Sequence, residues 1–317
     1  MKQLLRRTGP TQLWLRDIPL LRDLDANPVG TGYYYAMGSR LPTWVSATLM
    51  QSNDGRAFAT EDASNLQTSF GYTTAALPAP RSPWTWDRVN SLTVKMSWGS
   101  LEAAAEIDVM NGANVLLVGE ELVQFASATQ NADGTWTLSN LLRGRRGTEY
   151  ACASHHVGEV VLVPKTGLKR VFDPTSVLWL EYEYKAIETG QPIAAARAQK
   201  FIIRGRDLMP YSVVRIRGAR DQSGNLAISW IRRTRIGGAW LNHLGRVPLA
   251  ETREAYELEI LDAKAAVVRT IESDRPAVAY SVADQVSDFG APQSSVAVRV
   301  FQISEFVGRG FSAGAVL

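Results

Sequence analysis

The sequence predicts a mainly β protein made of antiparallel sheets, and two observations support this. Apolar and polar residues alternate with a period of two in many short segments, which is typical of half-buried strands. Several neighbouring segments are separated by turn residues, Gly119-Glu120 in one case and residues 131–134 in another, as expected of tight hairpins. The length of 317 residues is sufficient for about two domains.

Composition excludes several classes of protein. Hydrophobic residues make up 45% and charged residues 21% of the chain, which excludes wholesale disorder and fibrous repeats. The single cysteine, Cys152, cannot form an internal disulfide, and three histidines leave little material for a Cys/His metal site. The 34 basic residues barely exceed the 31 acidic ones, so no nucleic-acid specificity is expected. We therefore predict neither a cofactor nor a metal site.

The predicted first domain covers residues 23–206 and combines strands with long loops. Strands are expected over 32–36, 44–51, 91–96, 114–126, 135–141 and 159–163. The proline-containing segment 64–86 is interpreted as a long loop, and a helix is expected only over 100–110. The preceding residues 1–22 are apolar enough to dock on a neighbouring domain or subunit.

A second domain is predicted over residues 207–317, because Pro210 interrupts any strand and a new pattern begins after it. Short strands then follow at regular spacing, with Trp230 in an early one. This outline is typical of a fibronectin type III or immunoglobulin-like sandwich. The expected strands are 212–217, 226–232, 256–262, 267–271, 277–283 and 295–304.

The common catalytic signatures are absent: no G-x-S-x-G, H-E-x-x-H or G-x-x-x-x-G-K-[ST] pattern occurs. His155 and His156 are interpreted as a solvent-facing loop pair, because neighbouring side chains of an extended chain point in opposite directions. Two carboxylate pairs are interpreted as solvated charge and not as a glycosidase pair. They are Glu120 with Glu121, and Asp23 with Asp25. We therefore expect no enzymatic activity.

Two arginine-rich clusters supply the candidate interface residues. They are Arg143, Arg145 and Arg146 in the first domain and Arg232, Arg233 and Arg235 in the second. Their guanidinium groups are expected to form forked hydrogen bonds to carboxylates or carbonyls, within the subunit or across to another one. Phosphate binding is the alternative, although exposed aromatic residues are not interleaved with the arginines. Gly144 and Gly147 are expected to allow a turn that a Cβ would obstruct.

Four aromatic residues are candidates for receptor contact: Tyr33, Tyr35, Trp84 and Trp86. Such rings can stack on sugars. Alternation along a strand would, however, place Tyr34 opposite Tyr33 and Tyr35, so packing of one face into the core is the competing interpretation for the tyrosines.

Several of these segments together resemble one family. The block at residues 140–149, NLLRGRRGTE, followed by His155 or His156 and Gly158-Glu159, is similar to the C-terminal region of phage tail tip and baseplate hub proteins, which includes the large tail protein of gene transfer agents. Further matching segments are 44–55, 114–125, 229–235, 247–256 and 300–310. The resemblance extends from about Leu20 to the C-terminus.

The resemblance implies a structural protein of a virion tail that joins the hub to the distal tip or fibres in three copies. The implied partners are the chain itself as a homotrimer, other tail or baseplate proteins, fibres and a host surface receptor. Assembly in the host cytoplasm is expected, and no membrane span, because no apolar stretch approaches the ~20 residues that one requires. The alternatives are a module that binds a glycan or protein receptor and, with no supporting motif, a cell-envelope hydrolase.

Overall fold

The computed structural model describes residues 11–238 and 247–317 and shows a mainly β protein with antiparallel sheets. The chain divides into two units, one of which is Met1–Ile18 with Asn27–Arg204 and the other Pro19–Ala26 with Gly205–Leu317. The boundary therefore follows Arg204, two residues before the predicted one, and residues 19–26 belong to the second unit. None of the described helices is long and apolar enough to cross a membrane.

The first unit contains two open sheets and a closed barrel. Its elements are β1 (Gln12–Arg16), β2 (Gly30–Gly38), β3 (Ala47–Ser52), β4 (Ala59–Ser64), β5 (Phe70–Thr73), β6 (Leu92–Trp98), α1 (Glu106–Met110), β7 (Val115–Val118), β8 (Glu121–Gln130), β9 (Trp136–Leu142), β10 (Val160–Leu162), β11 (Lys169–Pro174), β12 (Glu181–Glu188) and β13 (Gln199–Ile202). One open sheet has the order β1-β2-β11 and the other β13-β12-β3-β4. The barrel has the order β10-β5-β6-β9-β8-β7 and closes because β10 also pairs with β7.

The two open sheets share one hydrophobic core, in which Tyr33 and Tyr35 of β2 are fully buried. The Tyr33 ring packs against Tyr184, with 5.4 Å between centroids, and the Tyr35 hydroxyl donates to Asp62 at 2.7 Å. The prediction that Tyr33 and Tyr35 contact a receptor is therefore wrong, because the alternation of β2 turns both rings inward.

The predicted docking segment contributes β1, which pairs antiparallel with β2 of the same chain. Leu13, Trp14 and Leu15 are buried there, and the Trp14 ring lies 4.6 Å from that of Phe70 in the barrel. Docking of this part of the segment is thus intramolecular. Residues 1–10 lie outside the described residues.

The barrel confirms both predicted hairpins and corrects two other predictions. Gly119 joins β7 to β8 with a φ of 58°, and Gly134 before β9 has a φ of 74°. The segment 64–86 is not loop throughout, because β5 lies within it and is paired on both sides. The helix is confined to Glu106–Met110, since Leu101 is buried in the barrel core and the N–H of Ala104 donates to the carbonyl of Ala126.

The second unit is a β-sandwich of the fibronectin type III or immunoglobulin-like class. Its elements are β14 (Val214–Arg220), β15 (Leu226–Ile231), β16 (Tyr256–Leu261), β17 (Val267–Ser273), β18 (Ala277–Tyr280), α2 (Val282–Phe289), β19 (Ala297–Ser304), β20 (Gly308–Arg309) and β21 (Ala313–Val316). The sheet β14-β15-β18 faces β17-β16-β19, and β20 and β21 both pair with β19. Trp230 of β15 is buried in the shared core. The predicted strand 277–283 ends early, because Ser281 caps α2 by accepting from the N–H of Asp284 at 3.0 Å.

Candidate functional site

A cluster of ionisable side chains, most of them buried, lies at one end of the barrel. β7 and β9 end there, while β8 and β10 begin there, so residues distant in sequence meet in space. The members of the cluster are Asp87, Glu121, Arg143, Cys152, His155 and Glu159. Desolvated charges are stable only when they are paired and hydrogen-bonded, and every charged member has such contacts.

Glu121 is the centre of the cluster, and its side chain is fully buried. It accepts hydrogen bonds from Arg143 Nε and Nη2, both at 2.8 Å, from the N–H of Gly144 at 2.6 Å and from the Cys152 thiol at 3.3 Å. Burial alone would raise the pKa of the Glu121 carboxyl, but the bonds from His155 and Arg143 outweigh burial and lower it. The interpretation of Glu121 as solvated charge is therefore wrong.

Arg143 links the barrel to the proline-containing loop that precedes β6. Besides its forked pair with Glu121, Nη1 donates to the Pro78 carbonyl at 2.9 Å and lies 3.5 Å from Asp87 Oδ2. The carbonyl of Cys152 accepts from Nη2 at 3.2 Å. The expected forked bonding is present, but an interface with another subunit is excluded for Arg143 because its side chain is fully buried.

His155 bridges two carboxylates. Its Nε2 lies 2.6 Å from Glu121 Oε2 and its Nδ1 lies 2.8 Å from Glu159 Oε2. Burial alone would lower the pKa of His155, but the hydrogen bonds to both carboxylates raise it. An imidazolium, in which both nitrogens donate, therefore fits the site. The solvent-facing interpretation holds for the exposed His156 and is wrong for the buried His155.

The cluster is arranged to hold the chain together. Burial raises the pKa of the Cys152 thiol well above its ordinary value, which keeps this sulfur protonated and a poor nucleophile. The described residues contain no group of three or more His, Cys, Asp or Glu side chains that could hold a metal ion. Acid and base groups are present, but they are engaged with one another in the protein interior.

The residues after Arg143 turn through several left-handed backbone conformations. Gly144 and Gly147 have φ values of 58° and 85°, as the prediction of conformational glycines requires, and Arg146 has a φ of 55°. A Cβ built on Gly144 would lie 2.9 Å from the Cα of Glu149, a separation that real Cβ atoms essentially never show. This turn therefore depends on the absence of a side chain at residue 144.

Gly144→Ala is expected to destabilise the first unit by about 2 kcal/mol, because left-handed strain adds to the contact with the Glu149 backbone. Thermal unfolding measures the effect. Gly112→Ala is the matched control, since Gly112 also has a positive φ, 102°, but a Cβ there meets nothing within 4 Å. Equal losses for both variants would contradict the role of the close contact.

The other predicted interface arginines differ in their burial and in the contacts that they make within the chain. Arg145 and Arg146 are exposed, and Arg145 Nε donates to Gln124 Oε1 at 2.8 Å. Arg235 is buried and pairs with Glu251 at 3.0 Å. The remaining two have the following contacts: Arg232 pairs with Glu254 at 2.8 Å, and Arg233 lies over the Tyr211 ring at 5.1 Å.

Trp84 and Trp86 lie on the loop whose base Arg143 holds. Trp84 is 56% exposed, and the Arg88 guanidinium lies 5.6 Å from the Trp86 ring centroid. Asp87 anchors the loop, since its backbone pairs with Leu141 and its carboxylate accepts from the N–H groups of Val89 and Asn90. Of the four aromatic candidates, these two remain accessible.

Sequence reasoning missed Asp87 and Glu159 and misjudged Glu121 and His155. One sequence signal could have found Glu121: it stands in the segment 115–126, where apolar residues follow one another without regular alternation, as expected of a strand buried on both faces. A carboxylate in such a strand needs a cation, and Arg143 was already a candidate.

The part of the chain that holds the buried cluster also matches a known protein family. A family model described as Rcc01698-like, C-terminal, matches residues 68–162, and this family is related to gene transfer agent tail proteins. The matched segment corresponds to the barrel, β5 to β10, and contains the whole buried cluster. No curated protein matches the chain.

Three solved structures show weak similarity to the chain. Domains d3-d4 of the rat CD45 extracellular region are 11% identical, with 44% of this chain and 64% of that chain covered and a TM-score of 0.25. A cytokine receptor complex is 11% identical, with coverages of 72% and 90% and a TM-score of 0.23. The chicken CNTN1 FN1-FN3 domains are 10% identical, with coverages of 98% and 99% and a TM-score of 0.24. The chain thus spans just under two thirds of the rat structure, and similarities this low carry no argument about function.

Proposed function

We propose that this chain is a structural, non-enzymatic component of a phage or phage-like tail, which joins the tail hub to the distal tip or fibres. The observation that carries the proposal is the match of the barrel to a family related to gene transfer agent tail proteins. The proposal includes three copies around the tail axis, neighbouring tail or baseplate proteins as partners, and assembly in the host cytoplasm.

The architecture supports this role through rigidity. The barrel interior is filled by apolar side chains, and the charged cluster fastens one of its ends through residues from four separate segments. A tail component must keep its shape while it contacts several neighbours, and β domains fixed in this way meet that requirement. The engagement of Glu121 with both His155 and Arg143 favours a structural role over a hydrolase.

A cryo-EM map of particles from the producing cell tests the proposal. A tagged and an untagged chain are compared so that the extra density identifies the subunit. We expect the chain at the tail tip in three copies. A different copy number at the tip would reject the trimer, and absence of the chain from particles would reject the tail role.

Receptor binding by the same tail component is the second candidate, favoured by the exposed Trp84 on a loop whose base is fixed. Trp84→Ala is expected to reduce adsorption of particles to host cells at least tenfold, since central Trp contacts often contribute ~2 kcal/mol or more to binding. Trp179→Ala is the matched control, because Trp179 of the same unit is 58% exposed. Unchanged adsorption of the Trp84 variant, or an equal decrease in both, would contradict receptor contact by this loop.

A further inference from the structure

The edge strands of the two open sheets, β4 and β11, are fastened to each other by one lysine. Lys169 of β11 lies 2.6 Å from Asp62 Oδ2 of β4, and its ammonium group donates to the Ala63 carbonyl at 2.7 Å. The Tyr35 hydroxyl donates to the same carboxylate at 2.7 Å. Burial alone would raise the pKa of Asp62, but these contacts outweigh burial and lower it. This carboxylate of the β4–β11 seam is therefore ionised and paired.

Two further carboxylates at the β4–β11 seam have no such cation. Glu61 of β4 and Asp173 of β11 are both partly buried, and neither side chain forms an ion pair or a hydrogen bond with another described residue. Asp173 Oδ2 itself is buried. Arg170 of β11 acts on Asp173 only at a distance, because its guanidinium lies over the Tyr34 ring, 4.9 Å from the centroid. Two negative charges at this place would remain largely uncompensated.

A buried hydroxyl lies near the same two carboxylates. Tyr33 of β2 is fully buried, and its hydroxyl oxygen forms no hydrogen bond within the part of the chain that the structure describes. Burial, the neighbouring Tyr184, and the charges of Glu61 and Asp173 all raise the pKa of Tyr33, so its hydroxyl stays protonated. A neutral carboxyl can accept from such a hydroxyl or donate to it, and it costs far less to bury than a carboxylate.

The surroundings of the two carboxyls favour a bound proton. Burial and the charges of Asp173 and Asp62 raise the pKa of Glu61. Burial also raises the pKa of Asp173, although Arg170 opposes it. Neighbouring carboxyls of this kind keep a proton to a higher pH than exposed ones do. The other ionisable groups that face the pair are Lys169, Asp62, Tyr33, Tyr35 and Tyr184, none of which supplies a free cation.

We propose that Glu61 and Asp173 form a pH-sensitive contact between the two open sheets, which holds a proton and stays closed in mild acid and loosens when a rise in pH ionises both carboxyls. Asp62 stays paired with Lys169 throughout, so the loosening is confined to the part of the β4–β11 seam around Glu61 and Asp173. This inference concerns the first unit alone and does not depend on the proposed tail role.

Asp173→Asn tests the contact, because the amide imitates the protonated carboxyl. A carboxyl whose pKa is raised in the folded state contributes stability that is fully present below its unfolded pKa, about 3.9, and is lost as the pH rises through its folded pKa. The unfolding temperature of the variant is therefore expected to exceed that of the parent by roughly 2–4 °C at pH 8. This advantage should vanish near pH 4. The contributions of Glu121 and His155 are common to both proteins and cancel in the difference.

Asp62→Asn is the matched control at the same seam, and it has the opposite sign. It removes the carboxylate that Lys169 and Tyr35 hold, so it is expected to be less stable than the parent at pH 8. Asp173→Asn that is also less stable than the parent at pH 8, or that follows the parent at every pH, would overturn the proposal.

Carboxyl ¹³C NMR of the full parent chain measures the bound proton without any substitution. We expect Glu61 and Asp173 to titrate above the ordinary range of their residue types and Asp62 below it. Amide hydrogen exchange in β4 and β11, corrected for its intrinsic pH dependence, should be faster at pH 8 in the parent than in Asp173→Asn. Ordinary titration of both carboxyls would overturn the proposal. Stabilisation of the parent at pH 8 by millimolar Ca²⁺, lost in Asp173→Asn, would also overturn it by assigning a cation in place of the proton.

Discussion

Replacement of Arg143 by alanine is expected to lower the free energy of unfolding of the first unit by about 3–5 kcal/mol, the cost of removing one partner from a buried ion pair. The variant loses both bonds to Glu121 and leaves that carboxylate buried with less compensation. It also removes the donor to the Pro78 carbonyl. For a unit of this size, the unfolding temperature is expected to fall by roughly 10 °C.

Hydrogen exchange at the amides of Leu122 and Gly144, together with thermal unfolding, measures this effect in the barrel itself. Arg88→Ala is the matched control, since the Arg88–Glu106 pair is exposed, with side-chain exposures of 54% and 43%, and such pairs contribute about 0–1 kcal/mol. Similar losses for the two variants would mean that the buried cluster contributes no more than a surface ion pair.

His155→Gln is expected to remove a pH-dependent part of the stability. The pKa of His155 is raised in the folded state by its bonds to Glu121 and Glu159, although burial opposes this. Such a group contributes stability that is fully present below its unfolded pKa, about 6.5, and is lost as the pH rises through the folded pKa. The variant should therefore be less stable than the parent by about 1.5–3 kcal/mol near pH 6, and this difference should shrink as the pH rises.

Denaturant unfolding at a series of pH values measures the two profiles. His156→Gln is the control, because its ring is 73% exposed, and it should follow the parent profile. The pH dependence that Glu121 contributes has the opposite sign. The pKa of its carboxyl is lowered in the folded state, so the stability that it contributes is present above its unfolded pKa of about 4.3 and is lost as the pH falls through its folded pKa. A constant difference between the parent and His155→Gln at every pH would exclude a charged His155.

Local chemistry was sufficient to predict the fold class and several turns. Gly119 and Gly134 mark hairpins because few other residues tolerate their positive φ, and alternation identified most strands of the sandwich. The helix was overestimated because good helix formers such as those in 101–105 yielded to burial of Leu101 in the barrel. The strands β1, β4, β5, β11 to β13, β20 and β21 were not predicted. Most of them are short or alternate weakly, but β12, EYEYKAIE, alternates polar and apolar residues over its first six positions and was overlooked.

The candidate site was less predictable because it depends on contacts between distant residues. Glu121 and Arg143 are 22 positions apart and Glu121 and His155 are 34 positions apart, so neither pair is visible as a motif. A glutamate beside a turn and a histidine in a loop normally face water. Only closure of the barrel brings Glu121 into contact with both Arg143 and His155, and the side chains of all three are then almost fully buried.

The closed barrel has a consequence for the behaviour of the chain at high local concentration. Since β7 pairs with β10, every barrel strand has a neighbour on both sides. The open sheets end instead in strands such as β4 and β13, whose outer backbone groups can recruit a further strand. Aggregation or strand exchange between crowded copies is thus expected to start at the open sheets. The barrel, which has no free strand edge, is not expected to take part.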